Sequence, residues 1–183
     1  MNKKINPQVV KSKKWLTESL LRHLEDKPYE KISIADIVKG ADLSRFAFYN
    51  NFASKDDILF EYISNLFEGY FTGLEQDKTI SIYESTKRFA LIFQRNKKFF
   101  RMLAKNNLVY LIHKVQNKNY NRILEASLGR PSKLNDVEFE YYVSYYTSAS
   151  ISVMMRWIHS ERYESLEYIS NLVTKFRTDI DIL

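Results

Sequence analysis

The stretch from Ser33 to Leu59, SIADIVKGADLSRFAFYNNFASKDDIL, holds the residues whose types and spacing suit recognition chemistry. Val38, Leu43 and Phe48 fall where two short helices must pack on each other, which leaves Ser44, Arg45, Phe46, Ala47, Tyr49 and Asn50 to project outward. A guanidinium fork, a bare ring, a methyl, a phenol and an amide together can hydrogen-bond and touch apolar groups on one surface. A packing element has no use for such a face. Charge is concentrated just upstream: Lys3, Lys4, Lys11, Lys13 and Lys14 all precede the first acidic residue, Glu18. That patch suits a grip on phosphates and, equally, a solvated tail.

Catalysis has no visible carrier. His23, His113 and His159 are far apart in sequence, no carboxylate pair stands out from helix-surface decoration, and there is no glycine-rich phosphate loop. With 0 cysteines, disulfides, thiolate zinc sites and a cysteine nucleophile are excluded. The expectation is a non-enzyme without cofactor or metal.

The elements that position the outward face follow from breakers and caps. The chain has 183 residues, 45% of them apolar, with only 4 glycines and 3 prolines, so long helices are easier to build than a many-turned β fold. Pro7 suits a helix start, and Leu16, Leu20 and Leu24 recur at every fourth position, giving helix one from about Pro7 to Glu25. Ser33 caps a short second helix carrying Ile34, Ile37 and Val38. After Gly40 and Ala41 the chain must turn, and Asp42 stands where a left-handed residue is needed and glycine would be easiest. Ser44 caps a third helix with Phe48 and Phe52, and Ser54, with Asp56 and Asp57 in the first turn, opens a long fourth helix to about Leu74.

Beyond a polar segment, Gln76 to Ser81, helical patterns run from about Ile82 to Arg95, Lys97 to Lys105 and Leu108 to Leu128, the last ended by Gly129 and Pro131. Asn135 or Asp136 caps a helix to about Ser160 that is apolar almost all round, and a final helix from about Ser165 carries a single stripe, Leu166, Ile169, Leu172, Val173, Phe176 and Ile180. The expected class is all-α with about nine helices: a three-helix head over residues 1–53, then residues 54–183 with helix four, about 54–74, as the link. No run of about 18 apolar residues and no signal peptide is present, so a cytoplasmic protein is expected, and a net charge of +6 favours polyanionic partners.

Leu43-Ser44-Arg45, then Phe48-Tyr49 and Phe52, then Ser54-Lys55-Asp56 and Leu59 resemble the recognition-helix signature of the TetR family of transcription regulators. Lys27-Pro28-Tyr29-Glu30-Lys31-Ile32-Ser33-Ile34 resembles the segment that joins helices one and two there. The resemblance covers roughly Val10 to Leu74. Two positions depart from it: Asp42 stands where glycine is usual, and Phe46 where a small residue is commoner.

The resemblance implies roles. Arg45 would contact a guanine edge through N7 and O6, and Phe46 and Ala47 would make apolar base contacts, a thymine methyl being available to Phe46. Ser33, Ser44, Tyr49, Asn50 and Asn51 would hydrogen-bond phosphates or base edges, with a helix-ending cap an equal alternative for Asn51. Lys55 would add charge and free backbone amides to a phosphate. It also implies a repressor that binds a pseudo-palindromic duplex operator as a homodimer paired through its last two helices, with affinity controlled by a small effector.

For that effector, aromatic density points to Tyr62, Phe67, Phe71, Phe89, Phe93, Phe100, Tyr110, Tyr142 and Tyr146 as pocket candidates, most of them equally at home in a core, and a cationic or aromatic guest would suit them. Lys87, Arg88, Arg95, Lys97, Lys98, Arg101 and Lys105 form a second basic concentration whose spacing suits solvated helix faces more than a second nucleic-acid site. The rival to an operator binder is a helical adaptor or co-regulator that works through its aromatic C-terminal half.

Overall fold

The computed structural model describes residues 6–77, 79–126, 130–162 and 164–178. Lys3, Lys4, Leu128, Gly129 and Ile180 lie outside the described residues. All regular structure among the described residues is helical: α1 (Pro7–Asp26), a 3-10 turn (Tyr29–Lys31), α2 (Ile34–Gly40), α3 (Arg45–Tyr49), α4 (Lys55–Gln76), α5 (Ile82–Arg95), α6 (Lys97–Lys105), α7 (Tyr110–Lys118), α8 (Tyr120–Ala126), α9 (Asp136–His159) and α10 (Leu166–Thr178). The chain divides into two compact units, Met1–Ser64 and Asn65–Leu183, and α4 runs through the division.

Helix boundaries follow side-chain caps. Asn6 accepts from the Gln8 amide with Pro7 in the first turn, Ser81 accepts from Glu84, and Asn135 and Glu138 form a reciprocal capping box at α9. One expected helix is two. The segment from Leu108 to Leu128 is interrupted at Asn119, whose side chain turns back to donate to Val115 O at 2.9 Å while its own amide is shared by the carbonyls of Val115 and Gln116. Asparagine competes with the helical ladder in this way, so the chain re-aims between α7 and α8. The described residues therefore contain ten α-helices where the sequence pattern suggested about nine.

The first unit is closed by Leu16, Leu20, Ile32, Ile37, Phe48, Ile58, Leu59 and Ile63, each no more than 1% exposed. The second is built on an aromatic stack: Phe93 and Phe100 lie face to face with centroids 4.3 Å apart, and Phe67 meets Phe93 edge-on at 5.8 Å. Arg122 of α8 clips onto α4 in this unit. It donates to both carboxylate oxygens of Glu75 at 2.6 and 2.9 Å and to both of Glu68 at 3.0 and 3.1 Å. Hydrogen bonds from Arg122 hold the Glu68 carboxyl below its usual range.

Helix α9 is not covered all round. Its C-terminal half buries Ile151, Met154, Trp157 and Ile158, whereas Val137, Tyr141 and Tyr145, four residues apart on one row, are 63%, 75% and 62% exposed. Tyr168 and Phe176 of α10 are also exposed. No helix among the described residues is long and apolar enough to cross a membrane.

Candidate nucleic-acid interface

The first unit presents α3 as a short, braced projection. Ser33 and Asp36 form the capping box that starts α2: the Asp36 amide donates to Ser33 Oγ at 3.1 Å, and Ser33 N and Oγ donate back to Asp36 Oδ2 at 2.9 and 2.8 Å. Those bonds, together with Lys27, hold the Asp36 carboxyl far below its ordinary range. Helix α2 lies close on α1. Ser19 Oγ donates to Ile37 O at 2.8 Å and an Arg22 guanidinium nitrogen donates to Gly40 O at 2.7 Å. A Cβ at Gly40 would stand 2.4 Å from Ser19 Oγ, so only glycine lets the two helices approach this far.

The turn after α2 is the one the sequence calls for. Asp42 has φ 53°, in the left-handed region, and Leu43 N returns to Val38 O at 2.9 Å. Asp tolerates this conformation better than most residues, although glycine would adopt it without strain. Ser44 then caps α3 by accepting from Ala47 N at 3.1 Å. Phe48 is fully buried and anchors the helix from beneath, packing on Tyr49 at 5.3 Å and Phe52 at 6.3 Å.

Above that anchor the outer side is open. Phe46 is 75% and Tyr49 59% exposed, Ser44, Arg45 and Asn50 are exposed, and Ala47 is half-buried. An exposed phenylalanine beside an exposed arginine has no packing role in this unit. The charge on Arg45 and the aromatic area are what a base edge and its methyl groups can use.

Lys55, expected at a phosphate, turns inward instead, and Asn51 has the geometry of the cap that was its equal alternative. Lys55 donates from Nζ to Tyr29 O at 2.7 Å and to Ile32 O at 2.9 Å, and its ammonium lies 4.1 Å from the centre of the Tyr29 ring. Burial lowers its pKa, against Asp56 and Glu30, which raise it. The physical reason is the end of the 3-10 turn, where Ile32 O and the second lone pair of Tyr29 O, which already accepts from Ile32 N at 3.1 Å, converge on the lysine ammonium. Asn51 is half-buried and donates from Nδ2 to Ala47 O at 2.7 Å, closing the end of α3 in the manner of a cap. Ser33 remains at the exposed edge, its hydroxyl proton directed to Asp36.

The lower part of α4 is pinned to the same unit. Ser54 and Asp57 cap it reciprocally, Tyr29 hydrogen-bonds Asp56 through its hydroxyl, and Lys13 pairs with Glu61 while lying over the Phe52 ring. His23 Nε2 faces Asp36 O at 3.2 Å and His159 Nδ1 faces Met155 O at 2.7 Å, so both have structural partners. In the second unit, Lys87 pairs with Glu167, Arg88 with Glu84, and Arg101 caps Ile158 O at 2.6 Å, which is how solvated helix faces use a run of basic residues.

The comparisons agree with this geometry. A family model described as "Bacterial regulatory proteins, tetR family" matches residues 16–62, and one described as "Transcriptional regulator C-terminal region", of the same family, matches residues 81–179, more than half the chain. The chain belongs to the TetR family. It is a TetR-family transcription regulator, and DNA binding through a helix-turn-helix is what membership brings. Among solved structures it is similar to a TetR transcriptional regulator from Streptococcus agalactiae 2603V, with TM-score 0.69 and 18% identity over 93% of this chain and 95% of that one. A TetR-family regulator from Syntrophomonas wolfei gives TM-score 0.65 and 18% identity over 92% and 93% of the two chains. The fatty acid degradation regulator FadR from Bacillus halodurans gives 0.61 and 14%, over 96% of each. At these identities the likeness is one of fold. No curated protein sequence matches the chain.

The TetR-type second unit also contains a cavity. Of the residues expected to line a pocket, Phe67, Phe71, Phe89 and Tyr146 do so. Phe93 and Phe100 stand behind them in the aromatic stack, Tyr142 is buried against Phe139 and Tyr146, Tyr62 belongs to the first unit, and Tyr110 is 44% exposed. Aromatic counting missed the polar lining, which includes Tyr70, Ser85, Gln116, Thr147 and Arg177. A signal existed: Gln116 follows Ile112, and Arg177 follows Val173, at the helical spacing where an apolar residue would have continued the stripe.

Proposed function

We propose that this chain is a homodimeric operator-binding repressor that reads DNA with the outer side of α3 and is controlled by a small effector held in the second unit. The observation that carries the reading is the exposed Arg45, Phe46, Tyr49 and Asn50 surface above a fully buried Phe48. Arg45 makes the bidentate guanine contact, Phe46 and Ala47 the apolar ones, and Ser44, Tyr49 and Asn50 contact phosphates or neighbouring base edges, while Ser33, its amide and hydroxyl protons both on Asp36, holds the start of α2 beside them. Lys55 and Asn51 act one step back, as the residues that hold the head and the end of α3 in shape. The head is formed by residues 1–53, and the sensing and pairing half by residues 54–183.

One α3 covers too few base pairs for tight specific binding, so two copies must present it to successive major grooves about 34 Å apart. The exposed row of Val137, Tyr141 and Tyr145 on α9, with Tyr168 and Phe176 on α10, supports pairing through the last two helices. Ligand in the second unit shifts the upper part of α4, and the lower part, pinned by Lys13, Tyr29 and Lys55, carries the head with it. The protein works in the cytoplasm, with its DNA.

The test is titration of the purified protein onto a duplex carrying the region upstream of its own gene, with light scattering of the free protein. A dimer that binds at nanomolar concentration with steep salt dependence is expected. A monomer that ignores the duplex overturns the reading and favours the adaptor alternative, for which the same α9 row would be the docking face.

A further inference from the structure

The cavity in the second unit is walled by α4, α5, α7, α8, α9 and α10 and encloses about 50 Å³. Since one water takes about 10–15 Å³ on this scale, the space holds roughly three to five non-hydrogen atoms, which a five-membered ring fills and a long chain exceeds. Phe67, Phe71 and Phe89 form its aromatic side, against which a flat guest can lie. Arg177 also lines the space, with its guanidinium carbon 4.4 Å from the centre of the Tyr146 ring, and it is engaged further, so it is no free cation in search of an anion.

Not every polar group in the wall has its partner. Gln116 is 7% exposed, its Nε2 donates to Thr147 Oγ1, and Thr147 in turn donates to Val143 O at 2.7 Å. Because the Thr147 proton is committed to that carbonyl, Gln116 is the donor of the pair, and its Oε1 is left buried with no hydrogen-bond partner. Two hydroxyl pairs in the same wall have the opposite surplus. Tyr70 and Ser85 meet at 3.2 Å, and Thr86 and Tyr146 at 3.5 Å, so each pair has two protons for one bond and keeps one proton for an outside acceptor. Burial raises the Tyr70 pKa, which keeps the phenol protonated at neutral pH. Ser150, by contrast, gives its proton to Tyr146 O at 2.8 Å. An unmet acceptor beside spare hydroxyl protons calls for a guest that brings both a donor and an acceptor.

We propose that the cavity takes a small uncharged azole, a flat five-membered ring whose N–H donates to Gln116 Oε1 and whose bare ring nitrogen accepts from one of the two hydroxyl pairs, with the ring among Phe67, Phe71 and Phe89. This rests on the reading of the second unit as the effector-binding half. A ring without the N–H leaves Gln116 Oε1 unpaired, and a ring without the bare nitrogen leaves both spare protons unused.

Titration of the full chain with four probes of similar size, followed through the NMR signals of each probe, tests it: pyrazole, isoxazole, pyrrole and acetamide. Pyrazole carries both groups and should bind at millimolar concentration or below. Isoxazole lacks the N–H and pyrrole lacks the bare nitrogen, and each should bind about three- to tenfold more weakly; acetamide, with both groups and no ring, should also be weaker than pyrazole. Gln116→Leu should erase the difference between pyrazole and isoxazole. Removing the hydroxyl pairs one at a time, as Tyr70→Phe with Ser85→Ala and as Thr86→Val with Tyr146→Phe, should erase the difference between pyrazole and pyrrole in one of the two. If a variant fails to fold, the four probes on the natural protein decide alone. Equal affinity of the three rings, or no saturable binding of pyrazole, overturns the proposal. Repeating the operator titration with each ring at saturation separates the two readings. Rings that keep their order while operator affinity stays unchanged uphold the ligand class and sink the effector role, whereas rings that bind alike and all alter operator affinity do the reverse.

Discussion

Gly40 should be irreplaceable for a reason that a double variant can expose. An alanine Cβ there would lie 2.4 Å from Ser19 Oγ, against an ordinary contact of 3.4 Å or more. Ser19 is fully buried and its hydroxyl is tied to Ile37 O at 2.8 Å, so it cannot swing aside without breaking that bond. Overpacking of this kind destabilises by about 1–3 kcal/mol, while the better helix propensity of alanine returns up to about 1 kcal/mol, for a net loss of about 1–2 kcal/mol. Ser19→Ala alone loses one hydrogen bond, about 0.5–1.5 kcal/mol, and leaves Ile37 O still served by Ala41 N at 3.0 Å. With the hydroxyl gone, the nearest atoms are His23 Nε2 at 3.3 Å, the far end of a side chain that can yield a few tenths of an ångström, and Ser19 Cβ at 3.5 Å, an ordinary contact. The double variant Ser19→Ala with Gly40→Ala should therefore be no less stable than Ser19→Ala, a coupling of about 1–2 kcal/mol. Urea unfolding followed through Trp15, in a Trp157→Phe background so that the signal comes from the first unit, measures each corner of the cycle. Additive losses, or a Gly40→Ala protein as stable as its parent, would refute the claim that this close approach sets α2, and with it α3, on α1.

Other expectations follow from the same contacts. Lys55→Met removes the ammonium's bonds to Tyr29 O and Ile32 O, leaving Tyr29 O its Ile32 amide, and should destabilise the first unit by about 1–2 kcal/mol in the same urea assay; an unchanged midpoint would return Lys55 to the role of a free phosphate contact. Asp42→Gly relieves a left-handed residue at φ 53° and should stabilise by up to about 1 kcal/mol, whereas Asp42→Val should be severely destabilised; equal midpoints for both would contradict the turn geometry. Asp36 is held low by the Ser33 amide and hydroxyl and by Lys27, and Glu68 by Arg122. Both carboxyls are depressed in the fold, so their contribution is present above the unfolded carboxylate range, about pH 4, and is lost as pH falls through the folded values. Asp36→Asn and Glu68→Gln should be weaker at neutral pH and show a flatter acid limb in thermal unfolding from pH 7 to 3; acid limbs parallel to the parent's would rule this out.

Much of the head was legible because its signals are local. Ser33, Ser44 and Ser54 are caps three residues before the amides or carboxylates they engage, and Asp42 follows a helix-ending Gly40-Ala41 at the point where only αL-tolerant residues fit. Lys55 was not legible, because its donor is directed by carbonyls that only the folded chain brings near, whereas Asn51, bonded to the local carbonyl of Ala47, was left between a cap and a DNA contact. Asn119 was missed for a different reason: a single local side-chain bond, to Val115 O, outweighs a continuous helical pattern. In the second unit the aromatic residues announced themselves by number, yet the rings divide between the cavity wall and the stack behind it according to long-range packing. The informative polar residues, Gln116 and Arg177, stood out only as interruptions of an apolar register.

The outer side of α3 as the reader of DNA is tested most directly by selecting bound duplexes from a random pool with the parent protein and with Arg45→Ala. The parent should enrich a two-fold symmetric site, and Arg45→Ala should keep its stability while losing the preference at one symmetry-related guanine pair, a loss of about 1–3 kcal/mol at the parent's site. An identical selected site for both proteins, or no enriched site for the parent, would contradict the account.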